Sequence, residues 1–242
     1  GGLDGLDDRD VAQVMYTARR RETGGSEFLR LHLHRVVAIS VAARTRERFK
    51  VWSLGEESAP EAELIQRFFD GVERYTPVLV SWNGGGFDLP VLHYRALLHG
   101  IAAPRYWETG SEDQAFRYNN YLNRFHERHT DLMDVLAGYQ PRAVAPLDEI
   151  ATLLGLPGKM GMDGSRVWEC FLNGELGVIR DYCETDVLNT YLIYLRFERM
   201  RGRFTAQEYT HECDLVRRTL EQDGRAHLRE FLERWHGASV PE

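Results

Sequence analysis

The stretch that decides the fold is VLVSWNGGGFDLP, at residues 78–90. Residues 78–82 form an apolar run of strand length, and the three glycines that follow interrupt any regular structure. Pro90 stands where the first turn of a helix tolerates proline. The stretch therefore predicts a buried strand, a glycine turn and a helix. Polar residues that follow such a strand lie at the edge of the sheet where α/β proteins place their sites.

Hydrophobic periodicity predicts the elements on either side of this stretch. Before it, we expect a helix over residues 10–21, a hairpin with strands at 36–43 and 49–54, and a helix over 61–74. After it, residues 105–128 are predicted as an aperiodic surface excursion, and helices are predicted at 131–139, 146–154, 165–173 and 175–199. Thr205 and Glu208 form a capping box for one more helix, and residues 228–235 define the last. Early strands and late helices favour an α/β domain with a mixed sheet, divided into a body at 1–203 and a helical extension at 204–242 that packs on it.

Composition excludes several classes of protein. The 242 residues are 43% hydrophobic and 28% charged, and no apolar run is long enough to cross a bilayer. Three cysteines without zinc-like spacing leave an odd thiol, which indicates a reducing, cytoplasmic location. A net charge of −7 argues against broad, charge-driven wrapping of nucleic acid, although residues 19–21 and 196–203 carry local positive charge.

Asp88 is the first candidate for chemistry. It follows the glycine turn at the start of the predicted helix, where its carboxylate is placed to bind a hard cation. The alternative is that Asp88 only caps this helix, a role in which aspartate is common. Taken alone, the segment favours the cap.

Tyr182 and Asp186 form the second candidate. They are four residues apart on a predicted helix and so project from one face, whereas Glu184 points away. A phenol and a carboxylate placed in this way can hold a metal and orient a water molecule. A solvated acidic face, or a core tyrosine with an incidental neighbour, explains one such pair equally well.

Together the two segments resemble motifs of a known family. Asn83 followed by Phe87 and Asp88 is similar to the second exonuclease motif of the proofreading domains of family B DNA polymerases, and Tyr182 with Asp186 is similar to the third. These domains form the branch of the DEDD superfamily that has tyrosine in its third motif. The chain resembles in particular the stand-alone predicted 3′→5′ exonucleases related to them, over roughly residues 10–200. Supporting stretches are residues 33–39, 130–134 and 157–161.

The resemblance implies an RNase H-like fold, with a mixed β-sheet flanked by helices, and hydrolysis of terminal phosphodiesters by two divalent cations, Mg²⁺ or Mn²⁺. It implies that Asp88 and Asp186 are catalytic metal ligands within bridging reach of each other, and that Tyr182 positions the attacking water. Asn83, Gly84 and Phe87 would contact the substrate, a single-stranded DNA 3′ end. A DNA polymerase or repair protein is the implied partner, and no membrane is involved.

One motif of the family is missing. Its Asp-x-Glu triplet should precede His34 on a strand, yet residues 1–33 contain no such triplet on a strand-like run, and we interpret Asp4, Asp8 and Asp10 as capping acids. We expect an apolar strand with this triplet upstream of Gly1, and an open slot or a substitute strand beside residues 78–82. The chain alone would then be inactive and poorly stable. A catalytically incomplete nucleic-acid-binding or scaffold module, and a 3′→5′ exoribonuclease, remain as alternatives, since no motif reveals contacts to a 2′-OH.

Other residues have two interpretations each. Asp131 is either a supporting carboxylate of the site or, as we prefer, the N-cap of a helix. Lys159 either meets a phosphate or is an ordinary surface lysine. The aromatic residues between 106 and 125 either stack on unpaired bases or, at about two to one, pack their loop onto the body.

Overall fold

A computed structural model describes residues 5–235, in which ten α-helices alternate with four short β-strands. In chain order these are α1 (Asp8–Thr23), β1 (Ser40–Arg44), β2 (Phe49–Ser53), α2 (Glu61–Tyr75), β3 (Leu79–Ser81), α3 (Asp88–His99), α4 (Pro104–Trp107), β4 (His129–Asp131), α5 (Leu132–Leu136), α6 (Leu147–Leu153), α7 (Val167–Leu172), α8 (Leu176–Met200), α9 (Ala206–Asp223) and α10 (Ala226–Arg234). The predicted α/β class is confirmed. In this part of the chain, no helix is both long and apolar enough to cross a membrane.

The strands form two separate sheets. β1 and β2 pair in antiparallel register, with Ser40 opposite Ser53, and β3 and β4 pair in parallel register, with Ser81 opposite Asp131. Residues 5–235 provide no strand that pairs with the second edge of β1 or of β3. Within these residues the expected single mixed sheet is therefore divided into an antiparallel and a parallel pair. The expectation of an unfilled edge beside residues 78–82 is confirmed for the same residues.

Helix α8 joins the two sheets, since it packs against β1, β2 and β3. Its residues enter three separate parts of the core. Leu188, Leu192 and Leu195 pack with β2, α9 and α10, whereas Ile193 packs with α5 and α6. Ile179 joins the residues around α7. Each fully buried leucine stabilises the fold by about 1.5–3 kcal/mol, so the central position of α8 fixes the residues that it carries.

The C-terminal helices α9 and α10 pack against the rest of the described chain. Thr205 and Glu208 make both hydrogen bonds of the capping box at the start of α9. Phe231, which is fully buried on α10, packs in the same cluster as the leucines of α8. Arg44 of β1 donates two hydrogen bonds of 2.7 Å to Glu212 of α9. The extension is thus held to the body by both apolar contacts and a bidentate ion pair.

Two local predictions differ from the structure. The hairpin begins at Ser40 rather than at residue 36, and the strand β4 was not predicted. β4 has only three residues, two of them polar and one a histidine, which is too short for an alternating pattern to be recognised. In the excursion at 105–128, Tyr106, Phe116 and Tyr121 are buried, so packing is the correct interpretation for these three rings.

Candidate active site

The turn after β3 places Asp88. Asn83 adopts the left-handed conformation at φ +61°, and its carbonyl accepts hydrogen bonds from the N–H groups of Gly86 and Phe87. A Cβ atom on Gly84 would lie 2.3 Å from the Ser81 hydroxyl oxygen, and one on Gly86 would lie 2.4 Å from the Asn83 side-chain oxygen. The glycines are required here because the turn is folded closely against its own side chains.

Asp131 holds this turn in place. It is the last residue of β4, and its two carboxylate oxygens accept hydrogen bonds from the N–H groups of Asn83 (2.8 Å) and Gly85 (2.9 Å). It occupies the N-cap position of α5, but its side chain makes no cap hydrogen bond there. The predicted N-cap position of Asp131 is confirmed, but its side chain does not cap α5, because its oxygens are committed to the neighbouring turn. Sequence reasoning missed this partnership because it depends on the pairing of β3 with β4.

Asp88 is the first residue of α3, and Phe87 occupies the N-cap position. Its carboxylate is accessible to solvent, yet the surrounding protein raises its pKa to about 6. A hydrogen bond from its own backbone N–H opposes this rise, and the charge of Asp131 adds to it. Asp88 can be exposed and still have a raised pKa, because a carboxylate open to solvent on one side can be surrounded by protein on the others.

Tyr182 and Asp186 lie on one face of α8, as their spacing predicts. The Tyr182 hydroxyl donates a hydrogen bond to the Asp186 carboxylate, and burial together with this acid raises the pKa of Tyr182. Asp186 is half-buried, and burial raises its pKa to about 6 although the Tyr182 hydrogen bond and the charge of Lys159 oppose the rise. At neutral pH the phenol is therefore a proton donor and Asp186 is mostly ionised.

Asp88 and Asp186 lie close enough for their charges to interact, although they are far apart in the chain. The charge of Asp88 raises the pKa of Asp186, and both charges raise the pKa of the thiol of Cys183. Such an effect requires proximity, because the interaction of two charges falls with distance. Among residues 5–235, no group of three or more histidine, cysteine or acidic side chains is arranged to hold a metal ion. The pair offers the hard oxygen donors that Mg²⁺ prefers, but only a part of a complete ligand set.

Lys159 lies beside this pair. Its charge lowers the pKa of Asp186, and its own N–H donates to the Asp148 carboxylate at 2.6 Å. The loop that carries it is fixed by Asn189 of α8, a fully buried side chain that both donates to the Gly158 carbonyl (3.1 Å) and accepts from its N–H (3.3 Å). The sequence analysis did not select Asn189. Its position three residues after Asp186, on the same side of a helix, was the available signal.

The opposite face of α8 carries a different carboxylate. Glu184 is 3% exposed and accepts hydrogen bonds from Ser53 (2.9 Å), Arg225 (2.6 Å) and His227 (3.0 Å). Burial acts to raise the pKa of Glu184, but the hydrogen bonds from His227 and Ser53 and the charge of Arg225 outweigh it and hold the pKa below its ordinary value. This carboxylate is saturated with partners and ties α8 to β2 and to the start of α10.

Over residues 26–235 the chain matches a family described as predicted 3′-5′ exonuclease related to the exonuclease domain of PolB. The chain belongs to this family. The match confirms the resemblance drawn from the motifs and extends beyond residue 200, through α9 and α10. The chain is also similar to DNA polymerase 1 of Sulfurisphaera ohwakuensis, with 51% identity over 37 residues. That likeness covers 15% of this chain and only 4% of the polymerase.

The family supports a nuclease-type enzyme with a nucleic acid as substrate. In this family member, the residues selected from the sequence fall into two groups. Asp88, Tyr182 and Asp186 provide the carboxylates and the phenol of the candidate site, whereas Asn83 and Gly84 shape the turn that precedes Asp88. Phe87 is half-buried, and its ring packs with those of Phe28 and His34.

Proposed function

We propose that this protein is a metal-dependent 3′→5′ exonuclease that hydrolyses the terminal phosphodiester of single-stranded DNA. The observation that carries the proposal is the pair Asp88 and Asp186, two mutually repelling carboxylates with raised pKa values that a strand turn and a helix bring together. Two acids held close in this way repel each other unless one of them takes up a proton or a cation lies between them, and above pH 6 a cation is the compensation that supports this proposal.

Each residue at the proposed site would have a separate role. Asp88 and Asp186 would hold divalent cations, Mg²⁺ or Mn²⁺, which polarise the phosphodiester and activate water. Tyr182 keeps its proton at neutral pH because its pKa is raised. It therefore orients the attacking water through a hydrogen bond rather than removing a proton from it. The charge of Lys159 acts on Asp186, which supports a role for this lysine beside the phosphate that the site would receive.

Further ligands would come from a strand that pairs with β1 and β3. Each of these strands has one edge without a strand partner among residues 5–235, and each buried, unpaired backbone group costs about 1–3 kcal/mol. A strand with Asp-x-Glu at this place would pair both edges and would supply the first pair of carboxylates of the family. The two sheets would then become one mixed sheet, as the RNase H-like fold requires.

Direction and substrate rest on the family description and on the polymerase likeness. The experiment that tests them uses the natural full-length protein and single-stranded DNA labelled at its 5′ end, with Mg²⁺ or with a chelator. We expect a ladder of shortened labelled products with Mg²⁺ only. Asp186→Asn should remove it, whereas Asp214→Asn, at an exposed position on α9, should leave it unchanged.

Four outcomes contradict the proposal. Degradation in the chelator excludes the metal mechanism, and unchanged degradation by Asp186→Asn excludes the assigned site. A matched RNA strand cut faster than DNA favours the exoribonuclease alternative. Tight binding of DNA without any cleavage by the natural protein supports a scaffold or binding module.

A further inference from the structure

Three aromatic rings form a cluster beside Asp88. The ring centroids of Phe28, His34 and Phe87 lie 5.1 Å (Phe28–His34), 5.8 Å (Phe28–Phe87) and 5.3 Å (His34–Phe87) from one another. Phe87 directly precedes Asp88, so the cluster adjoins the proposed site. Phe28 is nevertheless 58% exposed. The rings are tilted against one another by 41° to 87°, so the cluster exposes one ring, that of Phe28, to solvent and supports it from behind with the other two.

The loop that carries Phe28 is held by hydrogen bonds on both sides. The Phe28 N–H donates to the Ser26 hydroxyl oxygen at 3.2 Å, and its carbonyl accepts from the Arg19 guanidinium of α1 at 2.9 Å. The His34 ring is fixed in turn by a contact of 3.2 Å between its Nε2 atom and the Leu29 carbonyl. An exposed phenylalanine on a fixed backbone is prepared for a partner, because binding then orders few additional groups.

The chemistry of the site indicates which partner this is. With a net charge of −7 the protein cannot hold nucleic acid by broad neutralisation of phosphates. Stacking of bases on aromatic rings supplies affinity without positive charge and accepts every base, which suits an enzyme that must remove each nucleotide in turn. A duplex hides the faces of its bases, so only an unpaired end can use such a surface.

From this arrangement we infer that Phe28, His34 and Phe87 form a stacking platform for an unpaired nucleobase at or next to the 3′ end of the strand. The inference rests on the proposed function and deepens it, because it gives the enzyme a physical basis for preferring single-stranded or frayed ends. Phe28 provides the exposed face, and His34 and Phe87 hold that face in position.

The test measures binding separately from cleavage. The natural full-length protein is titrated, in Ca²⁺ instead of Mg²⁺ to prevent cleavage, into a single-stranded oligonucleotide with 2-aminopurine as its last base. We expect quenching of 2-aminopurine fluorescence on binding. Phe28→Ala should weaken binding by about 5- to 100-fold, the range that stacking on one aromatic residue contributes. Phe28→Trp should retain binding, and Phe28→Leu, which keeps an apolar side chain but removes the ring, should behave as Phe28→Ala.

Tyr75→Ala is the matched control, since this ring is 69% exposed at the end of α2, where it packs against Arg74. We expect it to bind as the wild type does. Equal affinities of wild type and Phe28→Ala, at unchanged melting temperature, overturn the platform. So does a loss of self-association or of peptide binding in Phe28→Ala without a change in DNA affinity, because the surface would then serve a protein partner.

The platform and the proposed function can fail independently. If cleavage depends on Asp186 and both cleavage and binding are unchanged in Phe28→Ala, the exonuclease proposal stands and the platform is contradicted. If quenching depends on Phe28 but the natural protein does not cleave DNA, the platform stands and the exonuclease proposal is contradicted.

Discussion

Glu184 and Asp186 stand two residues apart on α8 and lie in opposite environments. Glu184 is buried, accepts hydrogen bonds from three side chains, and has a lowered pKa. Asp186 accepts a hydrogen bond from Tyr182, lies near Asp88, and has a raised pKa. The carboxylate of Glu184 is surrounded by hydrogen-bond donors, whereas the carboxylate of Asp186 lies near a second acid, Asp88. A carboxylate that is fully hydrogen-bonded by the protein stabilises the fold, whereas two neighbouring carboxylates with few donors are arranged to bind a ligand.

The largest difference should appear in activity. Asp186→Ala and Asp88→Ala should each abolish Mg²⁺-dependent degradation, because a lost ligand removes several kcal/mol of transition-state stabilisation. Neither should lower the melting temperature measured without metal, since each change relieves a repulsion between two acids. A clear fall in melting temperature for Asp186→Ala would mean that this acid, like Glu184, belongs to the structure.

Tyr182→Phe should have the second-largest effect. It removes the hydroxyl that would orient the water and leaves the ring, so the rate should fall by about 10²- to 10⁴-fold. The Mg²⁺ concentration for half-maximal rate should change little, because Tyr182 is not a proposed ligand. Tyr194→Phe, at a partly buried tyrosine further along α8, is the control and should keep the wild-type rate. A large rise in the Mg²⁺ concentration that Tyr182→Phe needs for half-maximal rate would mean that Tyr182 is a metal ligand.

Glu184→Ala tests the contribution of Glu184 to the stability of the fold. It leaves Arg225 and His227 without their shared carboxylate, and breaking a buried pair typically costs about 3–5 kcal/mol. We expect the lower part of this range by urea denaturation, because Arg225 is 39% exposed. Glu221→Ala, at an exposed position on α9, should change the free energy of unfolding by less than about 0.5 kcal/mol. Equal effects of the two changes would show that the Glu184 network contributes no net stability.

The smallest effect concerns pH. Asp88 and Asp186 each have a folded pKa of about 6, above the ordinary value of 3.8. Folding therefore favours their protonated forms, and their contribution to stability should decline as the pH rises from about 4 to about 6. Glu184 acts in the opposite sense, since its lowered pKa stabilises the fold at higher pH.

Melting temperatures measured without divalent ions, in the wild type and in Asp186→Asn, separate these contributions. The variant should gain stability over the wild type above pH 6 and lose that advantage near pH 4. Mg²⁺ should bind the wild type more tightly as the pH rises through 6, because protons compete for the same oxygens. A difference between the two proteins that does not vary with pH would contradict the raised pKa of Asp186.

The sequence predicts the elements whose signals are local. The strand, glycine turn and helix around residues 78–90 are formed as expected, and Tyr182 and Asp186 share a face because helical spacing determines it. The roles of Asp131 and Asn189 were not predicted. Asp131 reaches the turn only because β4 pairs with β3, and Asn189 holds a loop 31 positions before it. Such partnerships depend on tertiary contacts, which no local pattern encodes.

The network around Glu184 also has a consequence for synthesis of the chain. Its partners Arg225 and His227 follow Glu184 by 41 and 43 positions. Because a chain leaves the ribosome from its N-terminus, Glu184 emerges well before the two residues that hydrogen-bond to it. The helix that carries Tyr182 and Asp186 therefore acquires this support only after residue 227 has been made. A nascent chain that has not reached this point carries both residues on a helix that lacks part of its packing.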